Sequence, residues 1–299
     1  MSFSGDVKSE LCRFSQDTED CCKHAECYGA LIMGKSFTPR LIKFSTEYEN
    51  VANHVSELLN YCLKENISSV KKNKQKYQIE ITDKKDIKKI YNLFGHTENQ
   101  LNLRINRANM ASTECCNGAF LRGAFLACGT VTDPQRNYHL EFIVPFMKLS
   151  QDFYKLIDDV NLRVKQTVRK GCHVVYIKDS EDIEDMLTYM GAQLSSLEIM
   201  NIKVEKDVRN RVNRKINFEC ANIERSVQAG LKQVEAIELI IERQGLDTLP
   251  EEYKELALLR LENPDMSLKQ LSESLPEPIS RSGVKHRLDK LIEIAEKLK

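Results

Sequence analysis

Residues 20–33, DCCKHAECYGALIM, and residues 114–127, ECCNGAFLRGAFLA, carry one pattern twice. Each has an acid, two adjacent cysteines, an alanine three positions on, and then Gly-Ala. Gly29 and Gly123 stand 94 positions apart. A second pair follows in the same order, TDKKDIKKIYNLFG (82–95) and KDSEDIEDMLTYMG (178–191). There Asp83, Asp86, Ile87 and Gly95 recur as Asp179, Asp182, Ile183 and Gly191, 96 positions on. Two matched blocks in one order indicate an internal duplication. A glycine inside a helix costs ~1 kcal/mol against alanine. Its recurrence at one point in both copies fits two helices that touch there, with Ala25, Ala30, Ala119, Ala124 and Ala127 allowing close approach.

Strand and helix signals fill each copy. Arg40–Ser45 and Tyr77–Thr82 read as strands flanking a helical Glu47–Leu63. In the second copy Tyr138–Val144 and Val174–Lys178 read as strands flanking a helical Leu149–Val160. Arg163–Val168 and the turn Arg169-Lys170-Gly171 add a hairpin. The expected class is α+β: a duplicated αββαββα repeat domain over residues 1–194, with repeats at about 18–95 and 112–191 around a pseudo-twofold axis. Phe3–Phe14 precedes it as an amphipathic helix with Val7, Leu11 and Phe14 on one side.

Residues 195–247 change character. Val204, Val208, Val212 and Ile216 recur every fourth position, and Ile223, Val227, Leu231, Val234, Ile237 and Ile241 continue the period. One or two long helices are expected there, as a linker. Arg209, Arg211, Arg214 and Lys215 cluster with Asn210, Asn213 and Asn217. Both residue types bond phosphates and base edges, so Arg209, Arg211, Asn213 and Arg214 form a secondary DNA-binding set. A solvated helix face is the competing and more common explanation. Gly245 and Pro250 mark a hinge.

Residues 248–299 read as an all-α module. Tyr253–Glu262 is a supporting helix stopped by Asn263-Pro264. Ser267 then N-caps Leu268–Leu275, which Pro276 and Pro278 end. A second helix opens at Ser280 and runs to about Lys297. Leu268, Leu271 and Leu275, with Val284, Leu288, Leu291, Ile292 and Ala295, supply the inner stripes. Basic and hydroxyl groups gather at the turn and on the outer face: Ser267, Ser280, Arg281, Ser282, Lys285, His286, Arg287 and Lys290. This is a helix-turn-helix layout, whose second helix fits the major groove. Double-stranded DNA is therefore the expected partner.

Composition bounds the rest. Lys and Arg number 44, and Asp and Glu also 44. The chain as a whole is no polycation, and nucleic acid must be held by local patches. With no signal peptide and no apolar run of membrane length, the ten cysteines are expected as reduced thiols in a cytoplasm, with nucleoid association and no membrane contact. Cys21, Cys22, His24 and Cys27 look like a metal cluster at first. Adjacent cysteines on a helix point about 100° apart, and no second ligand pair at matching spacing is evident. Small apolar packing is the preferred explanation, so no metal or cofactor is expected there.

CYGALIMGK (27–35) and LRGAFLACG (121–129) resemble degenerate forms of the paired helix motif of LAGLIDADG homing endonucleases. With the Asn/Arg-rich linker and ISRSGVKHRLDKL (279–291), nearly the whole chain resembles the WhiA family of bacterial regulators. AFLRGAFLACGTVTDP (119–134) and SRSGVKHRL (280–288) are its most specific stretches, and its last module is similar to sigma-factor region four. The resemblance implies a DNA-binding transcriptional regulator acting in cell division, chromosome segregation or sporulation. It also implies that the metal-holding acids of active endonucleases correspond here to Gly34 and Cys128. Asp133 lies nearby, but Pro39 stands at its place in the first copy, so no symmetric carboxylate pair exists and no cleavage is expected. Two alternatives compete: a protein-binding scaffold contacting RNA polymerase or another regulator, and a divalent-metal endonuclease with relocated ligands. Lys71, Lys72, Lys74, Lys76, Arg104 and Arg107 are candidates for a basic saddle on the repeat domain.

Overall fold

The computed structural model describes residues 2–100, 102–110 and 115–298. Glu114, the start of the second repeat near 112, and residue 299 lie outside them. The chain divides into two compact units, Met1–Glu205 and Lys206–Lys299.

The first unit opens with α1 (Phe3–Phe14). One copy then follows: α2 (Asp20–Ile32), β1 (Ser36–Thr38), β2 (Leu41–Thr46), α3 (Glu49–Leu63), β3 (Val70–Asn73), β4 (Lys76–Ile81) and α4 (Lys84–Leu93). The second copy repeats the order with α5 (Cys115–Cys128), β5 (Gly129–Val131), β6 (Leu140–Val144), α6 (Met147–Asp158), β7 (Lys165–Arg169), β8 (Cys172–Ile177) and α7 (Ser180–Met190). Both sheets are antiparallel and share one strand order, β1-β2-β4-β3 and β5-β6-β8-β7. The duplication expected from sequence is thus present element by element. Asp83 and Asp179 explain the second matched block: each N-caps the closing helix of its copy, accepting backbone N–H bonds. Strands β1, β3 and β5 have no counterpart in the sequence reading, because three or four residues are too few to show a period of two.

α2 and α5 pack at the centre with their backbones in contact. A Cβ placed on Gly29 would lie 2.2 Å from the Phe120 carbonyl oxygen, and one on Gly123 would lie 2.0 Å from that of Glu26. Each glycine faces backbone that cannot step aside. Tyr28, Phe44, Phe120, Phe125, Phe142 and Phe153 pack around this crossing as fully buried side chains.

The crossing also encloses a charge pair. Glu26 is 0% exposed and Arg122 3%. Arg122 Nε donates to Glu26 Oε2 at 2.7 Å and its Nη1 to the Met190 carbonyl at 2.8 Å. His54 Nε2 lies 2.8 Å from Glu26 Oε1, and the Ser15 hydroxyl donates to Oε2 at 2.6 Å. Burial alone would push the Glu26 carboxyl up, but Arg122, His54 and Ser15 together hold it below the usual carboxylate range.

Two predictions follow from this centre. Gly123→Ala forces overpacking against backbone and should destabilise the first unit by about 3 kcal/mol in chemical denaturation. Arg122→Met leaves a buried carboxylate without its cation and should cost about 3–5 kcal/mol, whereas the double variant Glu26→Gln/Arg122→Met should recover much of that loss.

Candidate nucleic-acid interface

The second unit is built on the end of α8 (Gln193–Arg243), which runs without a break over 51 residues. Ala236, Ile237 and Ile240 near its end join the core of α9 (Glu251–Glu262), α10 (Leu268–Ser274) and α11 (Arg281–Lys297). Leu249, between Gly245 and Pro250, is buried in the same core, so the expected hinge is a packed connection. Leu271, Leu275, Val284, Leu288, Leu291 and Ala295 are buried as their spacing requires. The turn after α9 is held by Arg260, whose Nη1 donates to the carbonyls of Pro264 and Met266 at 3.1 and 2.7 Å. Gly230 on α8 allows this turn to approach, since a Cβ there would lie 2.8 Å from the Pro264 oxygen.

The two serines at the helix starts serve as caps. Ser267 Oγ accepts from Gln270 N while the Gln270 side chain accepts from Ser267 N, a full capping box. Ser280 Oγ accepts from Gly283 N at 3.1 Å and lies 2.9 Å from Ser282 Oγ. Their hydroxyls are therefore engaged in positioning α10 and α11.

The basic residues divide. Arg281, Ser282, Lys285 and His286 are exposed along the first half of α11. Arg287 is half-buried, and its Nη2 pairs with Glu252 Oε2 at 2.5 Å, bracing α11 against α9. Lys290 is exposed and paired with Glu293 at 2.8 Å one turn away. On α8, Arg209, Arg211, Asn213, Arg214 and Lys215 are all exposed. At about 100° per residue, Asn210, Asn213, Arg214 and Asn217 share one face, away from the exposed Val208, Val212 and Ile216.

In the first unit the saddle candidates also split. Lys71, Lys72, Lys74 and Lys76 are exposed on the β3–β4 hairpin. Its counterpart, β7–β8, carries Lys165, Arg169 and Lys170. Lys74 and Lys170 take the same left-handed turn conformation, φ 54° and 51°. Arg104 and Arg107 are exposed but paired: Arg104 bonds Asp152 on α6 twice, and Arg107 pairs at 2.8 Å with Asp159, just past the end of α6.

Gly34 and Cys128, the two positions at which the resemblance implies metal-holding acids, stand in packed surroundings. A Cβ on Gly34 would lie 2.9 Å from the Leu31 oxygen and 3.0 Å from the Lys43 oxygen, so a side chain there would require the backbone to shift. Burial pushes the Cys128 thiol up to about 12. Lys8 is buried beside it, donates to the Leu126 carbonyl at 3.2 Å, and is pushed down to about 8 by burial. Asp133 is exposed and accepts from Gln135 N in a turn.

One sequence argument is overturned. Cys21 and Cys22 do have a second ligand pair: their Sγ atoms and those of Cys115 and Cys116 all lie within 4.8 Å of one another. His24 is not part of this group, since its Nε2 bonds Asn109 Oδ1 at 2.9 Å.

Comparison with known proteins bears on both units. The model of the WhiA LAGLIDADG-like domain matches residues 38–110 and 117–209, and that of the WhiA C-terminal HTH domain matches residues 212–295. A protein of Ruminiclostridium cellulolyticum named "Probable cell division protein WhiA" is 37% identical, covering 100% of this chain and 98% of its own length. One of the same name from Clostridium perfringens is 36% identical, covering 100% and 99%. The crystal structure of full-length WhiA from Thermatoga maritima superposes with a TM-score of 0.59 at 27% identity, covering 99% of both chains. Among the described residues no helix is long and apolar enough to cross a membrane.

Lys8 generates a pH-dependent prediction. Its pKa falls from 10.5 to about 8 on folding, so between those values the unfolded chain binds more protons and stability rises with pH. The burden of its buried charge is complete below pH 8, at up to about 3 kcal/mol. Lys8→Met should therefore be more stable than the parent chain below pH 8. That advantage should fade as pH climbs to 10.5, as urea denaturation across this window would record.

Proposed function

The chain belongs to the WhiA family, and from that premise we propose that it is a DNA-binding transcriptional regulator without nuclease activity. Its role would lie in cell division, as the relatives' names suggest, with chromosome segregation and sporulation control as the wider context. The observation that carries this is the first half of α11, where Arg281, Ser282, Lys285 and His286 are exposed together behind the Ser280 cap. A helix presented in this way can enter the major groove, with Arg and Lys reaching guanine edges and phosphates. Arg287 would act mainly as a brace, and Lys290 would give up its Glu293 partner to meet a phosphate.

The α8 set Arg209, Arg211, Asn213 and Arg214, and the lysine-rich hairpin β3–β4, would add phosphate contacts that position the chain without reading sequence. Such binding would put the protein in the cytoplasm, on the nucleoid. Gly34 supports the absence of cleavage, because glycine offers no oxygen ligand and a side chain there would require the backbone to shift.

Fluorescence anisotropy against chromosomal fragments at two salt concentrations tests this. Losing a base-reading Arg281 or Lys285 to alanine should cost about 1–3 kcal/mol and relax sequence preference. Losing a phosphate contact such as Lys72 should weaken all sequences alike and flatten the salt slope by about one unit. Unchanged affinity in both α11 variants would refute the reading head and leave a protein-binding scaffold, with RNA polymerase or another regulator as the target. Incubation of plasmid DNA with the protein and magnesium should yield no specific nicks.

A further inference from the structure

The duplication places two cysteines in the first turn of each central helix, Cys21 and Cys22 on α2 and Cys115 and Cys116 on α5. The 94-residue spacing that relates Gly29 to Gly123 also relates both cysteine pairs. The backbone contact at those glycines sets the helices side by side, and the four sulfurs meet at one end. We propose that Cys21, Cys22, Cys115 and Cys116 form a tetrathiolate site for a single zinc ion that ties the two repeats together.

The geometry suits that ion. A tetrahedral zinc with Zn–S bonds of about 2.3 Å separates its sulfurs by about 3.8 Å. The four sulfurs already lie within 4.8 Å of one another, and those of Cys115 and Cys116 are 3.9 Å apart. Closing on the ion requires shifts of a few tenths of an ångström. The space admits one ion and not a bridged iron–sulfur core. A disulfide joins sulfurs in twos at about 2.05 Å and gives no reason for four to converge. Thiolates are soft ligands that select zinc over magnesium.

Charge and access agree with this. Four thiolates around a divalent ion carry two excess negative charges, and the N-terminal ends of α2 and α5 both point positive dipole at the site. Cys22 and Cys116 are buried, whereas Cys21 is half-buried and Cys115 exposed, so an ion can enter from solvent and end in a partly shielded cage. Gly34 lies beyond the far end of α2. At 1.5 Å per residue that end is about 20 Å away, so this ion would have no part in strand cleavage. It would be structural, fastening repeats that are otherwise held by packing and the Glu26–Arg122 pair.

The test uses the full chain, purified without added metal under reducing conditions. Elemental analysis should find one zinc per chain. Titration of the stripped protein with Co2+ should give the thiolate-to-metal charge transfer and visible bands of a tetrahedral tetrathiolate. Zinc should raise the melting temperature of the stripped chain. Cys22→Ser and Cys116→Ser should abolish the cobalt spectrum, and Cys172→Ser, on β8, should leave it intact. Should the buried variants fail to fold, the exposed Cys115→Ser carries the test, with cobalt affinity expected to fall at least about tenfold. Full cobalt affinity in Cys115→Ser would overturn the site. So would an octahedral cobalt spectrum, iron with cluster absorption, or a disulfide between the two pairs in mass spectrometry of the purified protein.

Discussion

The first unit depends on one contact, the crossing of α2 and α5 at Gly29 and Gly123. Helices with ordinary side chains pack 8–10 Å apart. Here each glycine faces a carbonyl that no Cβ could approach, so the axes close further and much else is fixed. Glu26 and Arg122 fall opposite each other inside the crossing and must pair, because neither has a route to water. The N-terminal ends meet and gather four sulfurs. Each sheet is anchored to its own helix, so the pseudo-symmetry of the strand orders follows from the symmetry of the crossing.

The duplication was legible because it left matched residues in one order at spacings of 94 and 96, and its repeat in the strand order confirms it. The helix-turn-helix was legible because capping chemistry and period agree: Ser267 and Ser280 cap where expected, and the buried leucines sit at the expected positions. What escaped were consequences of distant contact. The pairing of Arg104 and Arg107 was not legible, since a sequence does not reveal that Asp152 and Asp159, about fifty positions on, meet them. The cysteines were weighed against local partners His24 and Cys27. Yet the matched blocks contain both cysteine pairs at the spacing of the glycines, so the crossing that brings the glycines together brings the sulfurs together as well.

The ends of the central helices have diverged under different pressures. At the C-terminal end of α2, Gly34 lets the chain turn against the Leu31 and Lys43 carbonyls. At the end of α5, the half-buried Cys128 packs beside the buried Lys8, and this environment pushes the thiol up and the ammonium down. At the N-terminal end the side chains are polarisable sulfur, partly open to solvent. Any metal held at that end would meet soft ligands, the chemistry on which the zinc proposal rests.

The start of α11 runs against its own helix. α9 follows the macrodipole, with Glu251 and Glu252 in its first turn. α11 has no acid in its first turn and instead opens with Arg281, followed by Lys285 and His286. A cation near a helix N-terminus opposes the dipole by about 0.3–1 kcal/mol, and Ser280 offsets this only by satisfying one backbone donor. A chain selected for stability alone would place an acid there, as α9 does. The arrangement becomes favourable when an external anion sits over the helix start, where it takes up both the dipole and the cations. A phosphate backbone is such an anion, and for that reason the exposed half of α11 is a better account of binding than any count of charge over the whole neutral chain.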